Sequence, residues 1–122
     1  MNIILSIRPR YVKEIFEGRK QFEFRKKLCT EEIEKIYIYE TAPVSAVVGE
    51  VEMKEKLTMP KDELWKVVEK SAGISREEFD NYFDGYAYAS AYALGRATVF
   101  EKSKSLAEFG VGAAPQSFVY VG

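Results

Sequence analysis

Residues 4–25 read ILSIRPRYVKEIFEGRKQFEFR, and the parsing of this stretch decides the fold. Ile3, Leu5 and Ile7 alternate with Ser6 and Arg8, as on a half-buried strand. Pro9 suits the first turn of a helix, where its missing N–H has no partner to lose. Tyr11, Val12, Ile15 and Phe16 then form an apolar stripe at helical spacing. Gly18 ends the helix. From Phe22 to Arg25 the pattern returns to alternation, now aromatic against charged, so a second strand over about 21–25 is expected. Strand, helix, strand within one short stretch means mixed α and β structure from the outset.

The chain beyond it adds strands more often than helices. EKIYIYE at 34–40 reads as a third strand, and TAPV at 41–44 as a turn. A long strand follows over about 45–58, with Gly49 marking a bulge or bend. Pro60 opens a helix with Asp62 and Glu63 in its first turn and Leu64, Val67 and Val68 toward the core; Gly73 ends it. Ser75 and Glu78 make a capping box, flanked by Ile74 and Phe79 at the staple positions, for a helix reaching about Phe83. Residues 86–102 admit helix or strand. The Tyr-Ala alternation and the later Thr98, Val99 and Phe100 favour a strand bent near Gly95. A loop of about a dozen residues precedes a last strand, SFVYV. About six strands, with two or three helices in the connections, predict an α+β domain. The helices do not alternate regularly with the strands. The pattern therefore excludes a doubly wound sheet and favours a small mixed β-barrel, closed or nearly so.

All 122 residues fit one domain, with a helical insertion at about 60–85. Hydrophobic residues make up 47% and charged residues 30%, as expected of a folded soluble chain. No apolar run approaches the roughly 18 residues a membrane helix needs, and the first residues lack the basic start of a signal peptide. A cytoplasmic protein without membrane attachment is expected. With one cysteine, Cys29, no internal disulfide forms, and with no histidine the His-dependent triads and zinc motifs are excluded. Neither a metal site nor a cofactor is expected. Lys, Asp/Glu, Ser/Thr and Tyr remain for chemistry.

The net charge of −1 is unevenly spread. Residues 1–27 carry eight Lys/Arg and three Glu, whereas the rest carries ten Lys/Arg and sixteen Asp/Glu. Such a basic end attracts phosphate even when the whole chain is near neutral.

The opening stretch, the AVVGEVEM strand and the closing PQSFVYV together resemble the ASCH domain family of the PUA-like superfamily. The resemblance covers most of the chain. Its most telling part is a G-x-K-x-x-E-x-R pattern met by Gly18, Lys20, Glu23 and Arg25. It implies a PUA-like barrel with a cleft beside the first helix, and a link to RNA or to modified bases. One branch of the family hydrolyses acetylated cytidine with a lysine, a threonine nucleophile and a glutamate. Lys20 matches the lysine, but Glu23 stands where that threonine would be.

On these grounds the candidate ligand-binding residues are Arg8, Lys20, Glu23, Arg25, Gln116 and Ser117. Arg25 presents a fork of donors suited to phosphate or a base edge, and Glu23 orients it or Lys20. Lys20 shares pleat parity with the phenylalanines, so it is expected before the regular strand, at the mouth of the cleft. Arg8 adds field at a helix start. Gln116 and Ser117 line the opposite wall, their amide and hydroxyl suited to a base edge. Tyr86, Tyr88 and Tyr92 are expected as core residues with wet hydroxyls. The first expectation of function is a module binding RNA or a nucleotide-like ligand. A second is a metal-free hydrolase of a modified nucleoside or of RNA, with Glu23 as general base and Lys20 stabilising an oxyanion. A third is docking of a basic protein partner on the acidic insertion.

Overall fold

A computed structural model describes residues 1–122. The strands are β1 (Asn2–Ile7), β2 (Phe22–Phe24), β3 (Lys35–Glu40), β4 (Ala46–Pro60), β5 (Tyr88–Lys104) and β6 (Phe118–Val121). The helices are α1 (Pro9–Phe16), α2 (Lys61–Val68) and α3 (Arg76–Tyr82). The strands make one sheet in the order β2-β5-β4-β3-β1-β6, antiparallel except for the β1–β3 pair. This is the α+β class expected. The barrel is approximate, because β2 and β6 do not pair and the backbone leaves the sheet open between them. No helix is long and apolar enough to cross a membrane.

Three clusters fill the interior. The main one joins Ile3, Leu5 and Ile7 of β1 to Val12 and Ile15 of α1, with Ile36, Ile38 and Val51 behind them. Burial of such side chains contributes about 1.5–3 kcal/mol each. The second lies under the helical segment of about 60–85 that was expected as an insertion, where Leu64, Val68, Phe79 and Phe83 pack on Phe24, Ala89 and Ala91. Val67, expected to face inward, is exposed; one apolar row suffices for so short a helix. The third gathers Ile4, Tyr39 and Val47 with Phe100, Leu106 and Phe109.

Gly49 is the bend that was expected. The β4 register slips on both sides of the strand here, against β3 and against β5. A Cβ at this position would lie 2.4 Å from the Thr98 carbonyl oxygen and 2.6 Å from the Phe16 ring. Only glycine lets α1 settle this closely on the sheet. Tyr92 is fully buried in β5, and its hydroxyl accepts the Cys29 amide at 2.8 Å. Tyr86 and Tyr88 are exposed instead: Tyr86 precedes β5, and Tyr88 is its first residue, ahead of the buried Ala89. The stretch after β5 is not a plain loop. It holds a single 3-10 turn at Leu106–Phe109, capped by Ser105 and Glu108.

Candidate functional site

The end of β1, the start of α1, β2 and the insertion converge on a hollow of about 390 Å³. The β1–α1 junction contributes Ser6, Ile7, Arg8 and Tyr11. The segment entering and following β2 contributes Lys20, Glu23, Phe24 and Arg25. The insertion adds Ile74, Glu78 and Tyr82, and the approach to β6 adds Gln116. Lys20, Glu23 and Arg25 therefore line the same cavity.

Lys20 sits on its floor, not at its mouth. It is 3% exposed, and its Nζ donates to the Ala72 carbonyl at 3.0 Å. The ammonium also lies 4.8 Å from the Phe24 ring centroid and 5.3 Å from that of Tyr11. The seat is shaped by Gly73, whose φ is +70°. A Cβ there would stand 2.5 Å from Lys20 Cβ and 2.7 Å from Cγ. Burial pushes the Lys20 pKa below the ordinary lysine value, and the nearby Glu23 and Glu78 carboxylates oppose that shift.

Glu23 and Arg25 form a sheltered pair. Arg25 Nε donates to Glu23 Oε2 at 3.0 Å, with the side chains only 16% and 9% exposed. Arg25 Nη2 donates to the Ser6 carbonyl at 2.7 Å, and Nη1 reaches toward the Ser117 carbonyl at 3.5 Å. The guanidinium thus spans the opening that the backbone leaves between the two ends of the sheet. The donor fork expected to face a ligand is largely occupied by the protein itself. Glu23 Oε1 receives no protein donor and is not sealed from solvent.

Arg8, at the N-cap of α1, has no side-chain partner, and its exposed guanidinium lines the hollow. Gln116 is likewise exposed on the rim. Ser117 does not line the cavity; it offers its carbonyl to Arg25. Ser6 does line it, but its hydroxyl donates to the Pro115 carbonyl at 2.7 Å.

Glu78 was legible only as a cap, and it does more. It completes the capping box with Ser75, receives both bonds of Arg10 at 2.7 and 2.8 Å, and accepts the Tyr11 hydroxyl at 3.2 Å. The Ser75 amide bond, first, and Arg10 hold its carboxyl below the usual range, against some desolvation. Desolvation, with Glu78 beside it, raises the Tyr11 hydroxyl. Three cationic side chains and two carboxylates therefore surround one cavity, with aromatic rings between them. No group of three His, Cys, Asp or Glu side chains gathers to hold a metal ion. Acidic residues of the insertion are also engaged internally: Asp62 and Asp80 by Arg76, and Glu78 by Arg10.

The sequence and the fold are similar to those of known proteins. The chain is 29% identical over 120 residues to a protein of Ureaplasma parvum named ATP synthase subunit alpha, covering 98% of this chain but 15% of that protein. It is 29% identical over 92 residues to an ASCH domain-containing ribonuclease of Zymomonas mobilis, covering 75% of this chain and 62% of the relative. The chain thus spans less than two thirds of the length of these relatives. The crystal structure of ASCH from Zymomonas mobilis superposes with a TM-score of 0.89 at 25% identity, over 99% of this chain and 87% of that one. The ASCH domain pattern itself matches residues 5–101, from β1 almost to the end of β5. The chain belongs to the ASCH domain family.

Proposed function

We propose that this domain binds RNA, seating one nucleotide in the hollow between α1, β2 and the insertion. The observation that carries the proposal is the gathering of Arg8, Lys20 and Glu23 around one nucleotide-sized cavity with aromatic walls. Its volume lies within the roughly 300–1,000 Å³ typical of small-ligand sites. The division of labour follows from which donors are free. Arg8, with no protein partner, contacts phosphate. Lys20, held on the floor, offers its remaining N–H bonds to a base oxygen. The open oxygen of Glu23 accepts an N–H from the base edge, and Gln116 closes the rim. Arg25 supplies field and holds the walls.

Fluorescence anisotropy with a labelled single-stranded RNA tests this. Affinity should fall steeply with salt, and Arg8→Ala should lower the salt slope by about one phosphate contact. Lys20→Met should weaken binding without unfolding the protein. Equal affinity in the parent and both variants would refute the assignment.

A second reading, turnover, is favoured by the ribonuclease name of the Zymomonas mobilis relative. Glu23 would take a proton from the attacking hydroxyl or water, Lys20 would stabilise the developing oxyanion, and the protonated Glu23 would return the proton to the departing 5′-oxygen or amine as the scissile bond breaks. Glu23→Gln should then abolish cleavage of RNA or of an acylated nucleoside while leaving binding measurable. A parent that binds yet cleaves neither substrate would rule this reading out.

A further inference from the structure

Beside the hollow, three tyrosines stand in solvent within seven residues: Tyr82 at 38%, Tyr86 at 45% and Tyr88 at 58% exposure. Rings of this size cost free energy in water, and an exposed cluster of them marks a contact surface. Lys26 lies among them. Its Nζ is 4.9 Å from the Tyr82 ring centroid and 5.4 Å from that of Tyr86. One ammonium therefore touches two exposed rings. Lys26 directly follows Arg25, and Tyr82 also lines the hollow, so the two surfaces are continuous.

We propose that Tyr82, Tyr86 and Lys26 form a stacking platform for the nucleotide next to the one in the hollow, so that the ligand is single-stranded RNA and not a free nucleoside. This rests on the reading of the hollow given above. Interleaved aromatic faces and cations are what a single strand needs: every base has a face to stack, and every step along the strand adds a phosphate. A duplex hides both faces of its bases and gains nothing from the rings. A lone nucleoside fills the hollow and leaves the platform bare.

The test compares a mononucleotide, a single-stranded hexanucleotide and a duplex of the same sequence, by competition against a labelled hexanucleotide. The hexanucleotide should bind about tenfold or more tighter than the mononucleotide, the gain expected of one stacked base. Tyr86→Ala should remove most of that gain, and Tyr86→Phe, which keeps the ring, should restore it. Lys26→Ala should lower the salt slope by about one contact. Unchanged hexanucleotide affinity in Tyr86→Ala would overturn the platform and leave the hollow standing. Loss on Tyr86→Ala with no effect of Arg8→Ala or Lys20→Met would support the platform and strike out the hollow. A parent that binds no single-stranded RNA overturns both.

Discussion

Arg25→Met should destabilise the domain by about 3 kcal/mol. The guanidinium makes two good bonds, to the Ser6 carbonyl at 2.7 Å and to Glu23 Oε2 at 3.0 Å. Its third contact, 3.5 Å to the Ser117 carbonyl, is too long to add much. Hydrogen bonds to a charged group are worth about 1.5–3 kcal/mol each. Removing one member of a buried ion pair costs about 3–5 kcal/mol, because the other charge is stranded. At 16% and 9% exposure, water reaches part of this pair, which sets the expectation at the low end of that range. Urea unfolding followed by circular dichroism reads the effect. With a slope of about 1–3 kcal/mol per molar for a small protein, the midpoint should fall by about 1–3 M. Arg25→Lys should recover less than half, because a single ammonium cannot make the two diverging bonds of the fork. A double-mutant cycle with Glu23→Gln should give a coupling of about 1–3 kcal/mol. A loss under about 0.5 kcal/mol for Arg25→Met, the scatter of ordinary surface changes, would refute the idea that this side chain bridges the open sheet.

Three further outcomes test the seat of Lys20 and the packing of α1. Gly73→Ala should cost at least about 1–2 kcal/mol from the left-handed backbone alone, and it should also weaken RNA binding by dislodging Lys20; intact affinity would show that the seat is unimportant. Lys20 has a pKa depressed by burial, so between that value and its ordinary value of 10.5 the unfolded chain binds more protons than the folded one. Stability should therefore rise with pH across that window and be lost as pH falls through the folded pKa, and the parent-minus-Lys20→Met difference in unfolding free energy should show this slope; a flat difference from pH 7 to 10.5 would contradict it. Gly49→Ala should cost about 1–3 kcal/mol through overpacking against the Thr98 carbonyl and the Phe16 ring, with only partial relief in a Phe16→Ala background, since the carbonyl remains; full relief would place the strain on the ring alone.

What could be seen in the sequence was local in origin. The β1–α1–β2 opening was legible because its apolar spacing switches from two to helical and back, with Pro9 and Gly18 as punctuation. The cap of α3 was legible because Ser75 and Glu78 are three residues apart. The same S-x-x-E spacing at Ser105 and Glu108 announces the 3-10 turn that was expected as loop. The burial of Lys20 was not legible, because it depends on a carbonyl 52 residues away and on a glycine that clears its stem. Pleat parity placed Lys20 ahead of the strand but carries nothing about depth. The two fates of the tyrosines were also hidden. Tyr92 is buried by pairing with β2 beneath α1, whereas Tyr86 lies in the approach to β5, outside the sheet.

The G-x-K-x-x-E-x-R pattern looks at first like a set of ligand contacts, but its members do different physical work. Lys20 is placed by the insertion, through the Ala72 carbonyl and the space left at Gly73. Glu23 is held by Arg25, and Arg25 in turn by the carbonyls of Ser6 and, weakly, Ser117. Remove the insertion and the ammonium loses both its acceptor and its cover; remove Arg25 and the carboxylate loses its orientation. The one cation lining the hollow whose donors are all free, Arg8, lies outside the pattern. Arg25 therefore holds the walls of the hollow, while Lys20 and Glu23 keep groups free to meet what enters it. The helical segment at 60–85 is a wall of that hollow as much as α1 is. On the proposed binding mode, base specificity should then reside in the groups that Lys20 and Glu23 keep free and in Gln116 at the rim, while Arg8 sets affinity through phosphate.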